Sequence, residues 1–586
     1  MSAFLVKVSI GSSAQPRTMR IGSRLIVRWV DAECSMFHTD DGNKQFLQTP
    51  EAIVVADIDT TDRRAFALAE ASSALRLGGD ALSALDGDFA IAQWSLSTGR
   101  LIAARDHFGV RTLFYSLSDG VFLLSNRLAV LQGLLQPRVS NEFVADFLAF
   151  HGGSLDKTVW AGIHAVPPAT AIRLEKGVLS FERFWNPQAI RPDANVTADD
   201  AAARFRELFR RSVRQRMDAP EKTWCHLSGG LDSSSVAATA ASIVQEEGLK
   251  LGGAVTMTDS YIHAGEFPFA QEVIEKFNLA SRVIRDDWPW RDDGAPPPLF
   301  DQPASNFPMY ARDRVVAALM LNDGGKVLLT GGGADQLFIG STPISADLAW
   351  RGEFTAAITE LRNWSLCRGQ SMWSDLISQV IVPLLSPRLS LYRETKRSPE
   401  LSFICARFER QQRLRRRMAS LNALSGHRGE YYQSKVIKSV LLSSSCVSGW
   451  HRLDGMATRH PFVDKDLVEF VLSLPVHLRA RSFWYKPILR NSMKGVLPDR
   501  IRKRRSKGPP ALRIPWAFGR ERKAIERLMR QSILADCGCI EPKRLLDRVS
   551  HWSQGGQGRD LPYVYSALSL ETWLQRSLVG AQQSPN

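Results

Sequence analysis

The sequence predicts an α/β protein in which a β-rich N-terminal domain precedes a domain with a parallel sheet and a helical C-terminal part. Short apolar runs of strand type, 52–56, 101–104 and 121–124, lie among turn signals in the first 190 or so residues. Beyond residue 198, strand-like runs alternate with helical patterns, which is typical of a parallel α/β core. From about residue 340 onward the pattern is mostly helical. We therefore predict domains at 1–190 and 198–586.

A polar, proline-bearing stretch, 186–195, separates the two predicted domains. Thr197 and Asp200 after it are spaced like a capping box in which Asp replaces the usual Glu. The apolar spacing that begins at Phe205 and Leu208 predicts a long helix behind this cap. The second domain is therefore expected to begin on a helix.

Composition and charge exclude several classes of protein. The chain has 586 residues, 44% of them apolar, and 75 Lys and Arg against 60 Asp and Glu give a net charge of +15. These values exclude a wholly disordered chain, a collagen-like repeat and a coiled coil. Because no stretch of about 18 apolar residues and no secretory signal is present, we expect neither a membrane protein nor a secreted one. Seven scattered cysteines favour a reduced, cytoplasmic protein.

Two basic runs, 407–417 and 500–507, carry much of the excess positive charge. Such runs can bind nucleic acid, or they can form a solvated helix face. The second run lies beside motifs that handle phosphate, which favours a role with a nucleotide there. We therefore expect no nucleic-acid partner.

The strongest local motif is Ser228-Gly229-Gly230-Leu231-Asp232-Ser233-Ser234, which joins a predicted strand end at 224–227 to a helical pattern. Glycine lets backbone N–H groups approach a phosphate closely, and a helix N-terminus presents unpaired N–H groups to an anion. Asp232 would repel a phosphate unless a cation lay between them, so we predict that it is a Mg²⁺ ligand. An N-capped helix after a glycine turn is the alternative without a ligand.

This loop resembles the pyrophosphate-binding loop of the ATP pyrophosphatase superfamily, whose members cleave ATP between the α and β phosphates. Three further segments are similar to the asparagine synthetases of that superfamily: ARDHFGVRTLFY at 104–115, LTGGGADQLF at 329–338 and RHPFVD at 459–464. The resemblance runs from about residue 85 to 575. It implies a glutaminase-like (Ntn-type) α+β sandwich followed by an ATP pyrophosphatase domain with a doubly wound parallel sheet. It also implies ATP and Mg²⁺ as cofactors.

Two departures from the asparagine synthetase pattern bear on the activity. A glutaminase of this type uses an N-terminal Cys as nucleophile, whereas position 2 is Ser2 and the nearest thiol is Cys34. A hydroxyl is a far weaker nucleophile than a thiol, so we expect no ammonia from glutamine. Gly332 stands where asparagine synthetases carry an acidic residue, and β-lactam synthetases a Tyr, that helps to deprotonate the attacking amine. We interpret this glycine as room for a larger substrate; a simple turn glycine is the alternative.

With these departures the chain looks most like a lasso peptide cyclase. The resemblance implies that an Asp or Glu side chain of a linear peptide is adenylated. The peptide's own N-terminal amine then closes a macrolactam ring, and AMP and pyrophosphate are released. It also implies two partners, a leader-peptide-binding protein and a cysteine peptidase.

The candidate site residues follow from these motifs and from the resemblance. Asp232 and Asp335 are the expected Mg²⁺ ligands. Lys507 is the expected catalytic cation at the α-phosphate; the alternative is a solvated Lys in a basic run. Lys486 is a second candidate cation, or else a structural helix residue, and Glu266 matches an acidic position near the family's nucleotide site. The expected ATP- and pyrophosphate-binding residues are Ser228, Gly229, Gly230, Asp232, Ser233, Ser234, Thr330, Gly331 and Lys486.

Two other functions stay open from the sequence. A small-molecule amide synthetase, of the asparagine synthetase or β-lactam synthetase type, would share the same motifs. A basic RNA-binding or catalytically inactive interaction protein would explain the net charge. It would leave Asp232 and Asp335 without an explanation.

Overall fold

The structure is a computed structural model. It describes residues 3–10, 25–30, 33–39, 45–58, 66–150, 154–258, 266–285, 301–304, 310–339, 343–422, 429–447, 452–453, 455–481, 484–505 and 513–582. Two residues that the sequence singles out, Ser2 and Lys507, lie outside these ranges.

Among the residues described, the N-terminal part consists of β-strands with four helices between them. Its elements are β1 (Phe4–Ser9), β2 (Leu25–Val30), β3 (Cys34–Thr39), β4 (Phe46–Gln48), β5 (Ala52–Ile58), α1 (Leu68–Leu77), α2 (Gly79–Ala84), β6 (Phe89–Ser95), β7 (Arg100–Arg105), β8 (Phe114–Ser118), β9 (Val121–Ser125), α3 (Leu128–Leu135), α4 (Asn141–Phe150), β10 (His164–Ala165), β11 (Thr170–Glu175) and β12 (Val178–Arg183).

These strands form two antiparallel six-stranded sheets that pack face to face. The strand orders are β10-β8-β9-β1-β3-β2 and β12-β11-β7-β6-β5-β4. Phe4 and Val6 of β1 meet Ile53 and Val55 of β5 in one buried apolar core, while Leu5 points to the opposite face. This two-residue alternation is what a sheet with a buried face requires. The predicted α+β sandwich is confirmed.

Two charged residues of the N-terminal motif, Arg105 and Asp106, serve a structural turn. The Arg105 guanidinium donates hydrogen bonds to the carbonyls of Arg111, Val166 and Gly109 at 2.6–2.7 Å. The Asp106 carboxylate accepts three backbone N–H groups of the same turn. Burial lowers the pKa of Arg105 to about 10 and raises the pKa of Asp106 to about 6. These side chains therefore hold the chain between β7 and β8.

The second part begins on a helix whose N-cap is the predicted one. Thr197 accepts a hydrogen bond from the backbone N–H of Asp200 at 3.2 Å. The elements that follow are α5 (Ala198–Arg216), β13 (Thr223–His226), α6 (Leu231–Glu246), β14 (Gly253–Thr258), α7 (Phe267–Phe277), β15 (Ser281–Arg285), α8 (Tyr310–Asn322), β16 (Val327–Leu329), α9 (Ala334–Leu337), β17 (Arg452–Leu453) and β18 (Met456–Arg459).

Strands β13 to β18 form a single sheet in the order β15-β14-β13-β16-β18-β17. All neighbours are parallel except the β17–β18 hairpin. Cys225 and Leu329 pack with residues of α5 and α6 on one face, whereas Trp224 and Leu328 pack with residues of α8 on the other. Both faces are thus covered, and the predicted doubly wound parallel sheet is confirmed.

The region after residue 340 is mostly helical, as predicted. Within the part of the chain that the structure describes, none of its helices is long and apolar enough to cross a membrane. A π-helical turn spans Leu376–Ile381. The helices are α10 (Pro343–Trp350), α11 (Phe354–Arg368), α12 (Met372–Asp375), α13 (Val382–Leu385), α14 (Pro387–Arg397), α15 (Ala406–Gln412), α16 (Leu414–Asn422), α17 (Tyr431–Val447), α18 (Lys465–Ser473), α19 (Val476–Arg479), α20 (Pro487–Ser492), α21 (Asp499–Arg502), α22 (Arg513–Arg520), α23 (Arg522–Arg530), α24 (Ile533–Asp536), α25 (Pro542–Ser553) and α26 (Leu561–Gln582).

The two parts of the chain are in direct contact. The Trp185 indole N–H donates to the Glu469 carboxylate at 2.7 Å, and the Lys465 ammonium donates to the Ser83 carbonyl at 2.8 Å. Phe184 and Trp185 also belong to the apolar cluster that covers one face of the parallel sheet. The segment between Arg183 and Ala198 contains one short 3₁₀ turn, Pro187–Ala189.

Candidate active site

The glycine-rich loop lies at the carboxyl end of β13, where α/β proteins of this type bind ligands. It runs from the end of β13 at His226 to the start of α6 at Leu231. The Ser228 backbone N–H donates to Ser233 Oγ at 3.1 Å, and the two serine hydroxyls are 2.9 Å apart. The Gly230 backbone N–H donates to Ser228 Oγ at 3.3 Å. The serines therefore close the loop around the N-terminus of α6.

The loop requires a glycine at position 229. Its φ is +82°, and a Cβ built on it would lie 2.1 Å from the Glu266 backbone oxygen. The chain that enters α7 is thus pressed against the loop. Only a residue without a side chain allows this approach.

Gly229→Ala is expected to lower ATP-dependent turnover by about 10²-fold, because the loop must move by about an ångström to relieve the contact. Gly248→Ala is the matched control: its φ is +70°, and a Cβ at this position would meet no other atom within 4 Å. Both variants place alanine on a left-handed backbone. The difference in turnover between them therefore isolates the contact with Glu266. Turnover and thermal unfolding of both variants test this; equal turnover would contradict it.

Two acidic residues from distant segments meet at one lysine. Lys486 Nζ lies 2.5 Å from Asp232 Oδ2 and 2.6 Å from Asp335 Oδ1. Asp232 lies in the first turn of α6, Asp335 lies in the first turn of α9, and Lys486 immediately precedes α20. The predicted carboxylates are thus brought together, and the cation between them is Lys486.

The backbone of Lys486 is held in a strained conformation. Its φ is +58° and its ψ is +51°, a left-handed geometry that costs a residue with a side chain about 1–2 kcal/mol. The residue is 9% exposed. Such strain at a buried charged residue is typical of functional sites, because the surrounding structure must maintain it.

The segment at 329–338, which the sequence analysis likened to asparagine synthetases, packs directly on the glycine-rich loop. A Cβ on Gly331 would lie 2.8 Å from the Ser233 backbone nitrogen, so the two segments touch. Thr330 Oγ1 lies 2.6 Å from His460 Nδ1 and accepts a hydrogen bond from the Gly332 N–H at 3.1 Å. Thr330 and Gly331 therefore lie beside the loop residues with which the sequence analysis grouped them.

The space at Gly332 is filled by an imidazole. A Cβ on Gly332 would lie 2.7 Å from His460 Nδ1 and 3.2 Å from Thr330 Oγ1. The interpretation that this glycine makes room for a larger substrate is therefore wrong: the ring of His460 takes the room. Sequence reasoning used His460 only as part of a family motif and gave it no role.

Part of the second basic run covers the entrance to the loop. Arg504 forms an ion pair with Glu266 at 3.1 Å, and its guanidinium lies 4.1 Å from the centre of the Phe269 ring. Arg500 lies over the same ring at 4.9 Å. Glu266 Oε2 in turn is 3.6 Å from a Cβ position on Gly230. Arg500 is also paired, with Glu272 at 2.6 Å, so both arginines form ion pairs beside the loop.

Two more titratable groups border the site. Burial and the nearby charge of Arg312 lower the pKa of His226 to about 4, so this imidazole is neutral at pH 7. Burial lowers the pKa of Arg490, and the opposing charge of Asp232 limits that shift. Arg490 is thus a further cation close to the carboxylates.

The carboxylate pair fits a magnesium ion that arrives with a nucleotide. Across the described ranges, no group of three or more His, Cys, Asp and Glu could hold a metal ion on its own. Mg²⁺ in phosphate-transfer sites is bound by one or two carboxylates together with substrate phosphates. Asp232 and Asp335 supply those two carboxylates, and their assignment as ligands stays a prediction.

Together, a sandwich of two six-stranded sheets and a parallel sheet with a glycine-rich loop at its carboxyl end define a two-part α/β protein. The family model for asparagine synthase matches residues 204–575, and the model for a glutamine amidotransferase domain matches residues 71–185. The chain belongs to the asparagine synthase family and is an ATP-dependent amide-forming ligase.

The curated relatives are distant in sequence. Asparagine synthetase 3 (glutamine-hydrolyzing) of Bacillus subtilis is 23% identical over 458 residues, covering 74% of this chain and 69% of its own length. Amidase chyE of Penicillium rubens is 22% identical over 521 residues, covering 78% and 75%. A solved structure of an allosteric regulatory enzyme of purine biosynthesis covers 56% of this chain and 83% of its own, at 11% identity and a TM-score of 0.21.

Proposed function

We propose that this ligase is an AMP-forming lasso peptide cyclase, a macrolactam synthetase. It adenylates an Asp or Glu side chain of a linear peptide, and the N-terminal amine of the same peptide displaces AMP. The convergence of Asp232 and Asp335 on Lys486 beside the glycine-rich loop carries the adenylation step of the proposal. The exposed apolar residues of α11 support a peptide as the substrate. A carboxylate needs such activation because oxide is a poor leaving group and AMP is a good one.

The described residues divide the first step between them. The N-terminus of α6, with the hydroxyls of Ser228, Ser233 and Ser234, binds the departing pyrophosphate. Asp232 and Asp335 would hold Mg²⁺, which would supply positive charge to balance that of the pyrophosphate. Lys486 supplies a buried ammonium for the charge that grows on the α-phosphate. Lys507 remains a further candidate for that role.

The apolar surface that helix α11 exposes favours a peptide over a small substrate. Trp364 of helix α11 packs on Tyr485, the residue before Lys486, and their ring centres are 5.9 Å apart. The outer side of α11 exposes 64% of Phe354, 55% of Ile358 and 62% of Leu366. Exposed apolar patches of this kind mark binding surfaces. A peptide chain offers apolar side chains to such a surface, whereas free aspartate does not.

Ring closure also eases the second step. Holding the amine and the acyl-adenylate in one peptide can supply about 7–11 kcal/mol through effective concentration. A cyclase therefore needs less activation of its attacking amine than an enzyme that uses free ammonia.

Ser2→Ala is expected to leave macrolactam formation unchanged, within about twofold of the parent enzyme. The chain has no thiol at position 2 to release ammonia from glutamine, and a peptide supplies its own amine. Initial rates with and without added glutamine are the measurement. A large loss in the variant, or a requirement for glutamine, would indicate a working glutaminase instead.

We also propose the partners and setting that belong to this function: a leader-peptide-binding protein and a cysteine peptidase in the cytoplasm, without nucleic acid or membrane. The first basic run supports the absence of a nucleic-acid partner. Its Arg417 pairs with Asp146 of α4 and lies 3.8 Å from Glu142. That arginine links two elements of the protein and is not reserved for phosphate.

The proposal is tested with synthetic linear peptides that carry a free N-terminus and one internal Asp or Glu at varied positions. Purified enzyme, ATP and Mg²⁺ are expected to convert at least one of them to a product lighter by one water, with an isopeptide bond to the N-terminal amine. N-terminally acetylated peptides are the matched control and stay linear. If no peptide is cyclised while aspartate and ammonia give asparagine, the peptide assignment is wrong.

A second candidate is an amide synthetase that acts on a small molecule. Its support is that the relatives described above are an asparagine synthetase and an amidase. This candidate uses the same adenylation residues and differs only in the acceptor. The aspartate and ammonia arm of the experiment distinguishes the two.

A further inference from the structure

Amide formation from an amine needs a group that accepts a proton. An α-amino group has an ordinary pKa of about 7.7–8.0, so most of it is ammonium at pH 7 and has no lone pair to attack with. An acceptor near the acyl-adenylate therefore accelerates the second step.

The obvious acids and bases of the site are already engaged. Lys486 forms ion pairs with two carboxylates, and Glu266 pairs with Arg504. His226 binds a proton too weakly to compete for one at neutral pH, because its pKa is about 4. These three groups are poorly suited to take a proton from the amine.

Thr330 and His460 are arranged differently. Thr330 Oγ1 lies 2.6 Å from His460 Nδ1, and in the tautomer with the proton on Nε2 the hydroxyl donates to Nδ1. The Gly332 N–H donates to the same oxygen at 3.1 Å. A hydroxyl has one proton and two acceptor positions, so one acceptor position can still face an amine. The geometry resembles the hydroxyl–imidazole pairs that activate nucleophiles.

The pair lies next to the step it would serve. Gly331, which follows Thr330, approaches the Ser233 backbone nitrogen so closely that a Cβ would be 2.8 Å away. Ser233 belongs to the loop assigned to pyrophosphate. The imidazole also occupies the space that a side chain at position 332 would need, at 2.7 Å from its Cβ position.

We propose that Thr330 and His460 together accept the proton of the attacking amine, an inference that rests on the proposed function. The ammonium gives one proton to Thr330 Oγ1 as the hydroxyl proton moves to His460 Nδ1. The nitrogen lone pair then forms the C–N bond, the acyl C–O bond to the phosphate breaks, and its electron pair stays on AMP. The nitrogen's surplus proton and the imidazolium proton pass to water.

Hydroxylamine separates the two half-reactions, because it is largely uncharged at neutral pH and needs no base to become a nucleophile. Thr330→Val and His460→Asn are each expected to lower macrolactam formation by about 10²–10⁴-fold. In both variants, macrolactam formed per AMP released should fall, whereas hydroxamate formed per AMP released should stay at the parental value when hydroxylamine is present. The double variant should be no slower than either single variant, since the two residues act as one unit. Thr330→Ser should recover most of the rate.

Thr239→Val is the matched control for loss of a buried hydroxyl, because Thr239 is 5% exposed on α6 and its hydroxyl contacts only the Met493 sulfur at 3.8 Å among the partners described. Variants that cyclise peptide at the parental rate would overturn the proposal. So would variants in which hydroxamate formed per AMP released falls together with the macrolactam, because the pair would then position the acyl-adenylate and not accept a proton. A parental enzyme that forms no AMP with any peptide would overturn the proposed function itself, and this inference with it.

Discussion

Lys486→Met is expected to lower AMP formation by at least about 10³-fold, the largest loss among single substitutions in the described site. The ammonium lies within 2.6 Å of both Asp232 and Asp335. Its removal leaves two carboxylates facing each other and takes a buried cation from the place where phosphate charge develops. Either effect alone would slow adenylation.

Lys486→Arg is the control for charge. Met and Arg at position 486 would both adopt the strained left-handed backbone, so backbone strain is the same in the two variants. Arginine keeps the charge but has a planar, forked head that does not match a single point between two carboxylates. We expect it to retain part of the rate. The check is AMP release at saturating ATP; a Met variant near the parental rate would exclude Lys486 from the chemistry.

Asp232→Asn and Asp335→Asn are each expected to lower ATP cleavage by about 10²–10³-fold. Asparagine keeps the size of the side chain and removes the charge that would hold Mg²⁺ and orient Lys486. The loss should be partly offset by higher Mg²⁺ concentrations if the carboxylates bind the metal. AMP release measured over a Mg²⁺ titration tests both statements.

Asp199→Asn is the matched control for the carboxylate variants. Asp199 also lies in the first turn of a helix, α5, and is exposed. The substitution there removes the same favourable interaction with the helix dipole, about 0.3–1 kcal/mol, and touches no site residue. We expect its rate to be that of the parent. If Asp232→Asn or Asp335→Asn matched this control, the metal and pyrophosphate assignment would be wrong.

The glycine-rich loop could be predicted from the sequence because its signals are local. Two glycines, three serines and an aspartate stand in one short segment between an apolar strand and a helical pattern. The structure places them at the turn from β13 to α6, as expected. The cap at Thr197 was predictable for the same reason, since a capping box extends over only four residues.

Lys486 could not be given its position from the sequence because its partners are 254 and 151 residues away. Its local context, a lysine before a proline at a helix start, is that of an ordinary helix N-terminus. The position of His460 could not be predicted from the sequence for the same reason, because its neighbours in the site are distant in the chain. Gly332 and His460 become neighbours only because β16 and β18 lie side by side in the sheet, which no local pattern encodes.

The central claim is that this site activates a carboxylate by splitting ATP into AMP and pyrophosphate. Phosphorus NMR of a reaction with a cyclised peptide tests it directly, because the two possible cleavage positions give different products. We expect AMP and pyrophosphate to appear in equal amounts, one of each for every ring formed. ADP and inorganic phosphate in their place, or rings formed without nucleotide consumption, would contradict the account.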